Sequence, residues 1–404
     1  MSVDSRPELL FLCHRIPYPP DKGDKIRSYH WFRALAKRFR VHLAAFVDDP
    51  RDWQYREAVQ ALCASTLLLP LDSRRARLRS LSGLLRGEPL TLPYYRDRRL
   101  RAWIAELGEV TRVFVYSSAM AQYAQGPAFK NARRVIDFVD VDSDKWRQYA
   151  ERRRGPMGMV YKREANRLEA FELAIARSWD ASLFVSPAEA DWFRARFGPG
   201  TERVSAVSNG VDSAWFNPEL GFADPFPSDT LPLVFTGAMD YWANVDAVTW
   251  FVQEVWPRVR ERVPSAAFHI VGSRPTTAVQ ALAGNGVVVT GRVPDVRPYL
   301  RHAHAVIAPM RIARGIQNKV LEGMAMARPV VVTPKGLEGI AAADGREVLV
   351  AEDAAGFARQ VLRALQGETP ELGKAARELV LRDYAWVDHC RRLVELVAGS
   401  TAVT

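Results

Sequence analysis

Along the first two hundred residues, short apolar runs alternate with longer stretches of helical spacing. Residues 9–13, 41–47, 66–71, 112–116 and 134–139 each read as a strand, with further strands at 182–185 and 204–207. Between them, residues 25–39 set Ile26, Tyr29, Phe32, Leu35 and Ala36 on one helical face. A second helix runs from about 51 to 63, and a long helical pattern reaches through Arg177. Apolar runs that alternate with helices predict a parallel sheet covered on both faces. A Pro, Gly and Asp cluster over residues 217–232 breaks the pattern and reads as a linker. Beyond it the alternation restarts, with strands at 233–236, 267–271, 287–290, 305–308, 330–333 and 348–351 and helices opening near Asn244 and Gln317. The expected fold class is α/β: two Rossmann-like, doubly wound domains facing a cleft. Their spans are 1–220 and 221–384, with a helix over 385–404 that can pack back on the first. Ligands in such sheets bind beyond the carboxyl ends of the strands, so chemistry is sought in the loops there.

A chain of 404 residues, 48% of them hydrophobic, is long enough for two cores and too apolar for disorder. Cys13, Cys63 and Cys390 are far apart and lack metal-ligand spacing, which excludes a disulfide framework and a zinc site. The longest uncharged windows, 113–129 and 275–291, are interrupted by glycine and polar residues, and residues 9–13 are too short for a secretory signal. The expectation is a cytoplasmic protein.

The net charge of +10 is unevenly placed. Residues 1–200 hold 35 Lys and Arg against 24 Asp and Glu, or +11; the remainder hold 21 against 22, or −1. Nucleic acid, phospholipid headgroups and a phosphorylated substrate are the anionic partners such a half can meet. In residues 74–85, Leu78, Leu81, Leu84 and Leu85 recur at helical spacing among Arg74, Arg75, Arg77 and Arg79, the pattern of a basic amphipathic helix. Such a helix can lie in an anionic bilayer interface, or it can pack its leucines on the domain core. The arginines accompany no aromatic single-strand platform or recognition module, so no nucleic-acid partner is expected.

Three loops can carry chemistry. After the first strand, three prolines and Gly23 precede a helix whose amides can receive an anion, assisted by Lys22, Lys25 and Arg27; His14 opens that loop. Residues 137–144 hold Asp137, Asp140, Asp142 and Asp144, where Asp140 and Asp142 can share a site or a cation, or where Asp142 and Ser143 cap the next helix. The densest pattern is Arg314, Gly315, Gln317, Asn318, Lys319 and Glu322, a glycine turn opening an apolar helix. Lys319 and Glu322, three apart, share a helical face. Free amides and the lysine suit a diphosphate, and the glutamate suits the vicinal hydroxyls of a ribose; the alternative is an ordinary surface pair.

This last segment resembles the donor helix of retaining, family-4-type GT-B glycosyltransferases, whose usual pattern is two glutamates separated by seven residues. Residues 207–212 (VSNGVD) resemble the family's segment before its second domain, residues 184–190 (FVSPAEA) its strand-to-helix junction, and residues 237–246, which include Asn244, its second-domain opening. More narrowly, residues 13–31, 137–146 and 315–331 resemble the sugar transferases associated with bacterial PEP-CTERM and exosortase systems and their exopolysaccharide loci. The resemblance implies an acceptor-side first domain and a donor second domain. It further implies transfer of a sugar, with retention and without a metal or other cofactor, from a UDP- or GDP-sugar to a polyprenyl-linked or other oligosaccharide acceptor. The basic charge of the first domain adds the expectation of a peripheral position on the inner face of the inner membrane.

By this resemblance Glu322 binds the ribose, Lys319 lies near the diphosphate, and Gly23 belongs to the first-domain loop that contacts donor phosphates. The donor set is Gly23, Asn244, Gly315, Gln317, Asn318, Lys319 and Glu322, and the catalytic set Asp142, Arg314 and Lys319. The family's first glutamate is replaced by Arg314, and its Arg and Lys after the first strand of the second domain are missing between Gly237 and Asp246. Arg314 can restore that charge, and Asp142 then positions the sugar or acceptor. Two other classes share this architecture: nucleotide-sugar 2-epimerases, for which Asp140, Asp142 and His14 offer acid and base groups, and non-catalytic nucleotide or membrane binders.

Overall fold

The structure is a computed structural model that describes residues 5–20, 23–153, 155–313 and 315–399. It divides into two compact units, Met1–Ser208 with Val387–Thr404, and Asn209–Trp386.

In the first unit β1 (Glu8–Cys13), β2 (Arg40–Val47), β3 (Ser65–Pro70), β4 (Arg112–Tyr116), β5 (Arg133–Val139), β6 (Ala181–Phe184) and β7 (Val204–Ala206) form one sheet. Its order is β3-β2-β1-β4-β5-β6-β7, and every pairing is parallel. Each central strand reads as an unbroken apolar run because both its faces are covered. On one face Leu10, Leu12, Val113 and Val115 join the cluster that includes Ile175 and Phe193; on the other, Phe11 meets Phe32 and Phe114.

In the second unit β8 (Leu231–Thr236), β9 (Ala266–Val271), β10 (Val287–Gly291), β11 (Ala305–Ala308), β12 (Val330–Val332) and β13 (Leu349–Val350) repeat the plan, in the order β10-β9-β8-β11-β12-β13, again all parallel. The chain direction across each sheet reverses once, between β1 and β4 in the first unit and between β8 and β11 in the second. A ligand site of a doubly wound sheet forms at that reversal.

The units divide at Ser208 and Asn209, upstream of the Pro- and Gly-rich stretch around position 220. That stretch is fastened to the second unit: Arg297 lies 3.4 Å over the Trp215 ring, and Arg301 donates to the Pro218 carbonyl at 2.8 Å. At the crossing, Val211 N donates to Tyr384 O at 2.8 Å, so the outgoing and returning strands of chain run together. The final helix, Trp386–Ala398, buries Leu393 and Val397, and Arg133 donates to its Leu396 carbonyl at 2.6 Å.

Three segments depart from their sequence patterns. The helix expected over 51–63 is a 3-10 turn, Pro50–Tyr55, followed by a short helix, Arg56–Gln60, because Asp49 caps the turn and Pro50 opens it. The long pattern through Arg177 is two helices, Asp142–Arg152 and Pro156–Ser178, interrupted before Gly155, which takes φ +86°, and Pro156. Residues 74–85 likewise form two helices, Ser73–Ser80 and Ser82–Arg86. Their leucines face solvent, which sets aside the alternative of packing on the core: Leu85 is 93% exposed and Leu78 71%, while Ala76 and Gly83 are the buried residues.

Candidate functional site

The site begins with the packing of the helix Asn318–Ala325. Val320, Leu321, Met324 and Ala325 are fully buried, which seats the helix against the sheet next to β11 and carries Lys319 inward with them. The turn before it needs a left-handed residue, supplied by Gly315 at φ +61°, and Gln317 donates its side-chain amide to the Gly315 carbonyl at 3.2 Å. No side chain among the described residues caps this helix start, and the buried Asn318 Oδ1 has no hydrogen-bond partner there. Arg314 lies outside the described residues.

The other half comes from the loop after β8. A Cβ on Gly272 would stand 1.6 Å from the Gly237 carbonyl, so only glycine lets the loops after β8 and β9 lie this close. The loop leads into the helix Trp242–Trp250, where Asn244 is buried and donates to the Ala238 carbonyl at 2.9 Å. That bond leaves the Asn244 oxygen to accept from Lys319 Nζ at 2.7 Å. Residues after β8 and β11, the two strands flanking the reversal, thus meet in one hydrogen bond.

Lys319 is buried, with its ammonium 4.6 Å from the Phe235 ring centroid. Burial pushes its pKa down to about 8, against the opposing pull of Glu322. Burial also pushes the Glu322 carboxyl up to about 7, with Lys319 opposing. Both shifts record charge held without full compensation, and Lys319 bonds to a neutral amide rather than to Glu322. An exposed surface pair is therefore excluded. Nearby, Arg311 pairs with Asp246, so that arginine is already engaged. An anion at the helix start would meet uncapped amides and one buried ammonium.

The first-unit residues gather at the carboxyl ends of β1, β4 and β5, which are neighbours in the sheet. His14, just past β1, stacks on Tyr116 at 5.7 Å. Ser118 Oγ donates to Asp142 at 2.7 Å. The next residue's amide, Ser143 N, donates at 3.2 Å to Glu172, a fully buried carboxyl held well above its ordinary pKa by desolvation and then by the Asp142 charge. β4 and β5 end in left-handed residues that are not glycine, Ser117 at φ +81° and Val139 at φ +72°. Backbone strain of this kind, about 1–3 kcal/mol for each residue, accumulates where side chains are being aimed. Ser118 and Glu172 were not singled out by sequence reasoning; the Leu168, Glu172, Ile175 spacing, a carboxylate in an apolar stripe, is the signal that marks the second.

Several other candidate side chains are engaged within the fold. Gly23 opens the helix Gly23–Arg38 and is exposed, but Lys25 and Arg27 offer nothing to a ligand, and Lys22 lies outside the described residues. Lys25 donates to Asp52 at 2.6 Å and Arg27 to Asp137 at 2.7 Å, all four side chains buried. Asp137 also accepts from Trp31 Nε1 at 2.6 Å and is a core residue. Asp144 bonds Gln148 within its helix, which leaves Asp142 and the half-buried Asp140 at the strand end. No three His, Cys, Asp or Glu side chains among the described residues converge as a metal site requires. Arg74, Arg75 and Arg77 are exposed, and Arg79 donates to the Pro93 carbonyl at 2.7 Å.

Residues 231–367 match the family of glycosyl transferases group 1, a span that contains Asn244, Lys319 and Glu322. The matched span lies within the second unit. None of the curated proteins compared with the chain matches it. Among solved structures, the sucrose-phosphate synthase of Thermosynechococcus elongatus is similar at a TM-score of 0.71 and 17% identity, over 99% of this chain and 100% of that one. A glycosyltransferase from Rickettsia africae follows at 0.67 and 13%, over 98% and 100%. Anabaena HepE, solved in complex with UDP-glucose, is similar at 0.65 and 14%, over 97% and 99%. The fold is that of the GT-B glycosyltransferases, two parallel-sheet α/β domains. At these identities the resemblance is one of fold.

Proposed function

We propose that the protein is a retaining glycosyltransferase that moves a sugar from a nucleotide-diphosphate sugar to a polyprenyl-linked glycan in exopolysaccharide synthesis, of the kind associated with PEP-CTERM and exosortase systems. The observation that carries the donor half is the buried Lys319, bonded to the neutral Asn244 beside an uncapped helix start at the sheet's reversal. The UDP-glucose complex of the similar Anabaena protein supports uridine as the first base to test.

The bond between the anomeric carbon and the diphosphate oxygen breaks as the acceptor oxygen forms its bond to the same carbon and the same face. Negative charge grows on the leaving diphosphate, where the Lys319 ammonium and the helix-start amides stabilise it. The acceptor proton passes to that leaving oxygen, so the step needs no side-chain base. Glu322, ionised, accepts from the ribose hydroxyls, Asp142 orients sugar or acceptor, and Arg314 adds positive charge. The reaction uses no metal.

Calorimetric titration with UDP, GDP and UDP-glucose tests the donor, followed by sugar transfer to a polyprenyl-lipid extract. Binding of a nucleoside diphosphate that is lost in Lys319→Met supports the reading; undiminished binding in that variant refutes the donor site. An epimerised sugar released without acceptor would replace transfer by isomerisation.

A further inference from the structure

The helices Ser73–Ser80 and Ser82–Arg86 belong to a segment between β3 and β4 that the donor chemistry does not use. Arg74, Arg77, Leu78 and Leu81 follow at steps of three and four residues, hence along one face, and Leu84 and Leu85 continue the apolar strip. All four leucines are exposed, and Leu85 is almost entirely so.

The strip is held outward from behind. Arg163, on the helix Pro156–Ser178, donates to the Gly83 carbonyl at 2.9 Å. The adjacent Glu164, fully buried, accepts from the amides of Leu90 at 2.6 Å and Thr91 at 3.0 Å. One helical turn before Arg163, Met159 is 76% exposed. The charge around the strip is one-sided. Residues 72–101 contain nine arginines and three acids; Asp72 caps the first helix and lies 3.8 Å from Arg75, and Glu88 and Asp97 are paired with Arg96 and Arg99.

We propose that this surface docks the protein on an anionic phospholipid bilayer, with Leu78, Leu81, Leu84 and Leu85 in the acyl boundary and Arg74, Arg75 and Arg77 among the headgroup phosphates. Exposed leucines beside an excess of exposed guanidinium groups match the two layers of such an interface, negative charge outside and hydrocarbon beneath. The proposal stands apart from the donor reading, because its readout is attachment and not transfer.

The test is flotation of the full chain with vesicles of phosphatidylcholine containing 30% phosphatidylglycerol, against phosphatidylcholine alone, at about 0.1 and 0.5 M salt. We expect attachment to the anionic vesicles only, weakened at high salt. Arg74→Ala with Arg77→Ala lowers it roughly 30-fold, at about fivefold per arginine, and Leu78→Ser with Leu85→Ser roughly tenfold or more. Because these residues are exposed, melting temperature and UDP binding hold in both variants. Amide hydrogen exchange on anionic vesicles should slow in residues 73–86. Equal attachment to both vesicle types, unchanged attachment in the leucine variant, or exchange that slows elsewhere overturns the proposal. So does failure to attach, as when the surface serves an acidic protein.

Discussion

Each unit buries positive charge on the helix that follows a strand at its sheet's reversal, and the two units resolve it in opposite ways. In the first unit Arg27 and Lys25 meet carboxylates, Asp137 and Asp52, and the charge is closed within the fold. In the second, Lys319 meets the neutral amide of Asn244 and sits beside a carboxyl whose own pKa is pushed up to about 7. A buried cation with a dedicated carboxylate is architecture, since removing one partner strands the other. One that rests on a neutral dipole is poised for an anion that arrives from solution.

The contrast predicts that equivalent substitutions act on different properties. Arg27→Met strands Asp137 in the core and should destabilise the protein by about 3–5 kcal/mol, read by urea unfolding, with UDP affinity of the remaining folded protein intact. Lys319→Met should do the reverse, with turnover falling about 10²–10³-fold while the unfolding midpoint holds or rises. A midpoint that drops as far as in Arg27→Met would erase the distinction. Glu322→Ala comes next, with UDP affinity lowered about tenfold by loss of a charged hydrogen bond, measured by calorimetry.

The subtlest prediction uses pH. The free protein releases the Lys319 proton as pH rises through about 8, whereas the diphosphate complex retains it. UDP affinity should therefore fall as pH rises past 8, by up to about tenfold per pH unit. Lys319→Arg, always charged, should flatten that profile if it still binds. A wild-type profile flat from pH 7 to 9 would mean that Lys319 does not hold the diphosphate.

The sequence made the strands legible because their burial on both faces leaves uninterrupted apolar runs, as in residues 9–13. Lys319 and Glu322 were legible because helical spacing places them together at a glycine turn. What spacing cannot show is the partner far along the chain. The Arg27–Asp137 and Lys25–Asp52 pairs join residues with no local relation, so both cations read as ligand-facing. Nor does periodicity give direction: the leucine stripe of residues 78–85 defines a face, and distant contacts such as the Arg79, Arg163 and Glu164 anchors turn it outward.

Those anchors have an evolutionary consequence. Arg163 and Glu164 grip the segment almost wholly through main-chain atoms, the Gly83 and Glu88 carbonyls and the Leu90 and Thr91 amides, with the Thr91 hydroxyl the one side-chain contact. Main-chain atoms are common to every residue type, so the outward side chains can drift, trading leucine for phenylalanine or arginine for lysine, without loosening the mount. Lineages with different surroundings can thus re-specify this face while the sheet beneath it stays fixed.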